Sequence, residues 1–414
     1  MCAWALVNAL ATFLQLPVAV VEQVSPLSTC TCAAGLFQVG QSRGGSKRLD
    51  FGFDRAVGAV TLARMMMDRR DFLRLGAAAS VGTLVAGAPA QGAEPAASAG
   101  AARGGKHPMI WGNLLHLSVN MWCDWDAPEL KGDDSIYRPD LRFDRSLWDD
   151  ILKKMHQAGM NMVVIDLGDG VKYKSHPEIA VKGAWSTAEL RSELKRMRSL
   201  GLEPIPKLNF STTHDAWLGK YGHCVSTDTY YRVCRDLIAE VNQLFGRPRF
   251  FHLGMDEEDY GSQKYYEHVV VRQYEAWWRD FLFLAGQVEK GGSRPWIWSD
   301  YVWHHPELFY RKMPKPVVQS NWYYEAKFDP QDDRAKAFRG LEEHGYDQIP
   351  TGSNYYNATN FVALAGECNR SLAPGHLLGF LQTTWKATLE KHRQHHMEAI
   401  EQVAQAMQTT KDAE

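Results

Sequence analysis

The chain has 414 residues, of which 45% are apolar and 23% charged, with 46 Lys and Arg against 48 Asp and Glu. That balance excludes a disordered, collagen-like or polycationic chain, so no nucleic-acid partner is implied, while 14 Trp, 16 Tyr and 17 Phe give ring surface suited to sugars. The seven cysteines form no C-x-x-C pair, which argues against a metal ribbon or disulfide framework.

In chain order, residues 1–64 show no readable structural plan and are expected to be an over-extended start. The apolar run from Trp4 to Val21 is broken by Asn8, Gln15 and Pro17, so it makes a poor membrane span and no stable membrane anchor is expected. Arg69-Arg70-Asp71-Phe72-Leu73-Arg74 then precedes an uncharged stretch to Ala93 with a small-x-small site at Ala88-Pro89-Ala90. Residues 65–93 thus resemble a twin-arginine signal peptide, which implies the twin-arginine export machinery as partner and a periplasmic or secreted destination. Residues 94–106, rich in Ala, Gly and Ser, read as a flexible linker.

From 107 to 414 short apolar runs alternate with amphipathic stretches. Strands are expected at Ile110 to Val119, Asn161 to Asp166, Glu203 to Asn209, Arg249 to Gly254, Pro295 to Ser299, Pro316 to Ser320, Asp347 to Gly352 and Leu377 to Gln382. Helices are expected at Arg145 to Ala158, Thr187 to Leu200, Thr229 to Phe245, Val269 to Glu289, Pro306 to Arg311, Asp333 to Gly345, Asn360 to Arg370 and Thr388 to Met407. Eight strand-helix units are the count of a (β/α)8 TIM barrel. The competing open doubly wound sheet would carry a glycine-rich phosphate loop after its first strand, and Asn120-Met121-Trp122-Cys123-Asp124-Trp125 has no glycine there.

Barrel chemistry sits at the C-terminal strand ends, which here carry Asn120 and Trp122, Asp166 and Asp169, Asn209 with His214-Asp215, Asp256-Glu257-Glu258-Asp259, Trp298-Ser299-Asp300, Asn321-Trp322, Tyr355-Tyr356-Asn357 and Thr384-Trp385. Carboxylates among aromatic rings, with no nucleotide loop, point to a carbohydrate substrate and glycosidic chemistry without a cofactor. A run of four acids is also the pattern of a solvated loop, but the apolar Phe250-Phe251-His252-Leu253 ahead of it reads as a buried strand.

The segment Phe251-His252-Leu253-Gly254-Met255-Asp256-Glu257 resembles the H-x-G-G-D-E signature of family 20 glycoside hydrolases, the β-N-acetylhexosaminidases. Glu240-Val241-Asn242-Gln243-Leu244-Phe245 is similar to the helix end before that motif, and Pro204 to Asn209 with His214 is similar to the family's I-P-E-x-D…G-H strand and loop. Gly345-Tyr346, Tyr355-Tyr356 and Trp385 are similar to its closing units, so the resemblance runs over residues 145 to 390. Met255 stands at the second glycine, Asn209 at an acidic position, no Glu closely follows Trp385, and the sugar-clamping Arg of strand one is missing.

A retaining glycosidase with its own nucleophile needs carboxyls about 5 Å apart, whereas adjacent residues on a strand diverge to opposite faces. Substrate-assisted catalysis accepts that divergence. The resemblance implies Glu257 as general acid, Asp256 orienting a 2-acetamido nucleophile, Tyr356 bonding the acetamido oxygen, and Trp298 and Trp385 walling its pocket; His214-Asp215 in the strand-three loop is a candidate to orient Glu257, with a solvated loop as the alternative. Trp322 and Asp166 are further substrate-binding candidates at their strand ends; for Asp166 the alternative is a helix N-cap. Two other readings stay open: a glycosidase for a sugar lacking the acetamido group, with Asp166 or Asp300 as the remote carboxylate, and a carbohydrate-binding barrel without chemistry. His252 is read chiefly as a core histidine, and His392, His395 and His396 as surface residues with no metal role, so no metal is expected.

Replacing Arg69-Arg70 by Lys-Lys is expected to hold the protein in the cytoplasm, because the twin-arginine pathway reads that pair as an address. Cell fractionation checks this, and unchanged export of the variant would contradict it.

Overall fold

The computed structural model describes residues 108–411. The start region, signal and linker expected at 1–64, 65–93 and 94–106 lie outside the described residues. Eight parallel strands follow one another, each with a helix after it: β1 Ile110–His116, α1 Arg145–Gln157, β2 Met162–Asp166, α2 Thr187–Ser199, β3 Glu203–Lys207, α3 Asp228–Phe245, β4 Phe250–His252, α4 Glu275–Lys290, β5 Arg294–Trp298, α5 Pro306–Lys312, β6 Val318–Ser320, α6 Asp333–Glu343, β7 Thr351–Ser353, α7 Asn360–Ser371, β8 Gly379–Thr383 and α8 Arg393–Lys411. The strands run in chain order around a nearly closed ring. β1 pairs with both β2 and β8, and β6 meets β7 only through the bridges Gln319 to Gln348 and Trp322 to Thr351. This is the (β/α)8 barrel that the alternation predicted.

Strand side chains alternate between two faces, and this chain fills them differently. Ile110, Leu114, Met162, Val164, Ile205, Phe250, Trp296, Trp298, Val318, Ile349 and Leu381 make the inner cluster. The outward residues, among them Leu115, Val163, Ile165, Phe251 and Ile297, pack against helix faces that bury Trp148, Leu194, Leu237, Trp277 and Trp278. Trp277, Trp278 and Trp296 are therefore core, as is His252.

Helix starts follow local chemistry. The Asp144 carboxylate accepts the Ser146 and Leu147 amides at α1, Ser186 and Glu189 form a reciprocal capping box at α2, and Thr227 caps α3, which ends on the left-handed Gly246. Two helices start several residues later than expected. α4 begins at Glu275, not Val269, because Arg272 is buried in ion pairs with Glu258 and Asp280, which holds the chain ahead of the helix in a loop. The last helix begins at Arg393 because the segment from Thr388 binds across the barrel instead: the Thr388 hydroxyl donates to the His116 carbonyl at 2.7 Å. Cys224 and Cys234 are free thiols, with Cys234 buried on the inner face of α3. Among the described residues no helix is long and apolar enough to cross a membrane.

At the seam between β8 and β1, Gly379 adopts φ +146°, and a Cβ there would lie 2.1 Å from the Ile110 carbonyl oxygen. Gly379→Ala should lower stability by roughly 3 kcal/mol or more, since it strains the backbone and pushes the seam apart. A denaturant titration measures this; a variant within 1 kcal/mol of the parent, roughly the scale of ordinary surface changes, would contradict the seam's role.

Candidate active site

Alternation that places Leu114 and Val164 inside also places the next inward residues, His116, Asp166, Lys207 and His252, in one polar layer at the C-terminal end of the barrel. Lys207 donates to the Asp166 carboxylate, and both are fully enclosed. The His116 Nδ1 lies 3.7 Å from the same carboxylate. Burial, and then the Lys207 charge, hold the His116 and His252 imidazoles well below the usual histidine range, so both are neutral at neutral pH. Asp166 therefore binds neither a sugar on the cleft wall nor a helix end. It neutralises the lysine at the barrel axis.

Above this layer the chain leaves β4 irregularly. Gly254, Met255 and Glu257 all have left-handed φ, of +74°, +77° and +54°. Only Gly fits at 254, because a Cβ would fall 1.8 Å from the Asn209 Oδ1. These turns undo the divergence expected of adjacent strand residues: Asp256 and Glu257 converge on opposite edges of one imidazole. The His214 Nδ1 lies 3.3 Å from Asp256 Oδ1 and the His214 Nε2 lies 3.6 Å from Glu257 Oε2. The Asn209 amide donates to Asp256 Oδ1 at 2.9 Å, and the Ser211 and Thr213 hydroxyls donate to the Asp256 carbonyl.

The environments of the two carboxylates separate them. Burial alone would raise Asp256, but the His214 imidazole, Lys207 and the Asn209 amide outweigh it and hold the carboxyl below its usual range. Glu257, whose side chain is 42% exposed toward the cleft, is raised by burial and by the negative Asp256 and Asp259, against the pull of His214. Burial disfavours charge on His214, yet Asp256 and Glu257 reverse this and raise it. The site thus holds one carboxylate that stays ionised beside one that keeps a proton more readily.

The other acids of the run have separate work. Glu258 is buried in an ion pair with Arg272, which also donates to the Phe210 carbonyl at 2.6 Å, and Asp259 accepts the Ser262 amide at 3.0 Å. Asp300 Oδ2 accepts the Glu257 amide at 2.8 Å, while Oδ1 is buried without a partner. Burial and the neighbouring Asp256 charge push the Asp300 carboxyl up to about 8.

His214, Asp256 and Glu257 lie on the wall of an open cleft of about 1160 Å³ that Trp122, Trp298, Trp322, Tyr324, Tyr356 and Trp385 also line. The Trp122, Trp298 and Trp385 rings meet in pairs at 5.9 and 6.3 Å and make an aromatic corner. Tyr356 sits at the rim, 75% exposed and edge-on to Tyr355. Tyr324, which the sequence reading passed over, is held deeper: its hydroxyl oxygen accepts the Trp385 indole N–H at 3.1 Å and its ring stacks on Trp322 at 5.0 Å. Trp122, beside the His214 ring at 6.1 Å, and Asn209 complete the set. His392 reaches the cleft paired with Asp134 at 2.5 Å, while His395 and His396 each bond a backbone carbonyl, so the three do not converge on a metal.

No family model matches the chain, and no curated protein matches it. Solved structures do. The pneumococcal virulence factor StrH, described for N-glycan recognition and hydrolysis, aligns with a TM-score of 0.52 and 12% identity over 73% of this chain and 85% of its own. A chitobiase of Flavobacterium johnsoniae aligns with a TM-score of 0.50 and 16% identity over 73% of this chain and 51% of its own. A β-N-acetylhexosaminidase of Bacteroides fragilis aligns with a TM-score of 0.48 and 14% identity, and the present chain spans 65% of it. The first two of these likenesses show the barrel fold.

The protonated Asp300 gives a prediction with a defined sign. An unfolded aspartate ionises near 3.8, so between about pH 4 and about pH 8 the folded chain retains a proton that the unfolded chain has lost, and stability falls as pH rises. Asp300→Asn removes this loss while keeping an acceptor for the Glu257 amide. The variant's melting temperature relative to the parent should therefore rise from pH 5 to pH 8, values inside that window of roughly four units. A difference independent of pH would contradict the buried neutral carboxyl.

Proposed function

We propose that the protein is an exported glycoside hydrolase that cleaves a β-linked N-acetylhexosaminide by substrate-assisted retaining catalysis. The observation that carries this reading is the single imidazole of His214 between Asp256 and Glu257 on an aromatic cleft wall. The barrel's likeness to a chitobiase and to an N-glycan-recognising protein supports the same chemistry. Export rests on the Arg69-Arg70 segment.

In this mechanism the terminal sugar stacks in the corner made by Trp122, Trp298 and Trp385. Ionised Asp256 accepts the acetamido N–H and turns the amide so that its carbonyl oxygen faces the anomeric carbon. As that oxygen attacks, the glycosidic bond breaks and Glu257 gives its proton to the leaving oxygen. The positive charge that develops on the oxazolinium ring lies against Asp256, whose low pKa keeps the compensating charge in place. Water, deprotonated by Glu257, then opens the ring with retention of configuration. Tyr324 takes the part that the sequence reading gave to Tyr356. Its oxygen already accepts from Trp385, so its proton is free to donate to the acetamido oxygen.

Neither remote carboxylate offers an equal nucleophile. Asp166 is enclosed with Lys207 beneath the cleft, and Asp300 holds its proton near neutral pH.

Glu257→Gln should reduce turnover roughly 10²- to 10⁴-fold on substrates with poor leaving groups and much less on activated aryl glycosides. Equal losses on both would make Glu257 structural. Asp256→Asn should lower kcat with little change in KM, and a thiazoline mimic of the cyclic intermediate should inhibit the parent strongly and the variant weakly. A covalent adduct trapped by a 2-fluoro glycoside, without thiazoline inhibition, would replace the acetamido group by an enzyme nucleophile.

A further inference from the structure

A second cluster lies outside the cleft, where the segments after β1, β3 and β4 meet. Asp124 follows β1, His223 lies in the loop after β3, and His268 lies in the loop after β4. The Asp124 Oδ1 accepts the Glu267 amide at 2.9 Å, which fixes the carboxylate and leaves Oδ2 3.2 Å from the His223 Nε2. The His223 and His268 rings lie 4.3 Å apart, and one donor atom from each of the three residues falls within 4.8 Å of the others. Four-coordinate zinc with ligands at 2.0–2.1 Å requires donor atoms about 3.3 Å apart, so small side-chain rotations bring this set to bonding distance.

An independent observation marks the same place. Asp215 is 4% exposed, and its Oδ2 is buried without a hydrogen-bond partner. It lines a cavity of about 10 Å³ together with Asp124, His223 and His268. That is room for a single particle of water size. Two carboxylates and two imidazoles around one ion-sized space, one carboxylate oxygen unmatched, form a donor set for a cation rather than for a neutral ligand. Paired imidazoles favour a transition cation over Mg²⁺ or Ca²⁺.

We propose that Asp124, His223 and His268 bind one divalent transition cation of zinc type, with the Asp215 carboxylate as fourth ligand or outer partner. The ion links three loops that build the cleft wall: Trp122 stands two residues before Asp124, His214 directly precedes Asp215, and Asp256-Glu257 open the loop that carries His268. Its role is to position these loops, since no ligand of the set touches the cleft's reacting groups.

The test uses the full chain freed of metal by dialysis against a chelator and titrated with zinc chloride in a calorimeter. One ion per chain with Kd of about 1 µM or below is expected, together with a higher melting temperature in zinc. The double substitution His223→Ala with His268→Ala should weaken binding by about 10²-fold and abolish the zinc-dependent rise, while its melting temperature in chelator matches the parent's. Glu257→Gln, which alters the His214 cluster instead, should leave zinc affinity unchanged. Zinc-edge X-ray absorption of the loaded parent should show two imidazoles, a readout that does not depend on any variant folding. No stoichiometric binding, binding unaffected by the double substitution, binding weakened by Glu257→Gln, or a spectrum without imidazole would each overturn the site.

Discussion

The cleft wall depends on one imidazole placed between two carboxylates. Two adjacent acids drawn toward a barrel mouth repel each other and lose hydration, and without a counter-charge both would hold protons. His214 relieves this from the middle: its Nδ1 faces Asp256 and its Nε2 faces Glu257. The unequal surroundings then divide the roles. Asp256 also has Asn209 and the field of Lys207, and it stays ionised; Glu257 has neither and faces the cleft. The left-handed residues Gly254, Met255 and Glu257 exist to deliver both carboxylates to one ring, and non-glycine residues in that region cost of order 1–3 kcal/mol each. The Asn209, Ser211 and Thr213 bonds and the Asp300 acceptor over-determine the turn and offset that cost.

The floor beneath this arrangement is polar, which is unusual work for a barrel interior. Burying Lys207 unpaired would be prohibitive, and Asp166 answers it directly. Because His116 and His252 remain neutral, the layer carries one positive and one negative group, and the lysine end contributes to holding Asp256 ionised. The sugar chemistry proposed above therefore depends on a pair that no substrate touches.

Much of the architecture was legible in the sequence because strand and helix periods differ so sharply: eight apolar runs with amphipathic spacers between them leave few alternatives to a barrel. The Asp256-Glu257 pair was legible through its motif, and His214, Trp298, Trp322 and Trp385 do reach the same cleft. What escaped reading depends on side-chain direction across the barrel. Asp166 sits at a strand end like a ligand-binding residue, yet its partner Lys207 lies on the neighbouring strand, and only the register brings them together. Nothing near Tyr324 in the sequence marks it beside Tyr356; the indole of Trp385, from another loop, is what holds its hydroxyl within the cleft. The start of α4 was misplaced because Arg272, which reads as an ordinary helix residue, is drawn into the core by Glu258 and Asp280.

The measurement that bears most directly on this account is the specificity of the purified protein on matched aryl β-glycosides that differ only at C2. The account predicts turnover of the 2-acetamido glycoside, with kcat/KM at least about 10³-fold above that of the 2-hydroxy analogue, because the latter has no internal nucleophile and leaves Asp256 without a partner. Equal or faster cleavage of the 2-hydroxy glycoside, or no turnover of either, would contradict it.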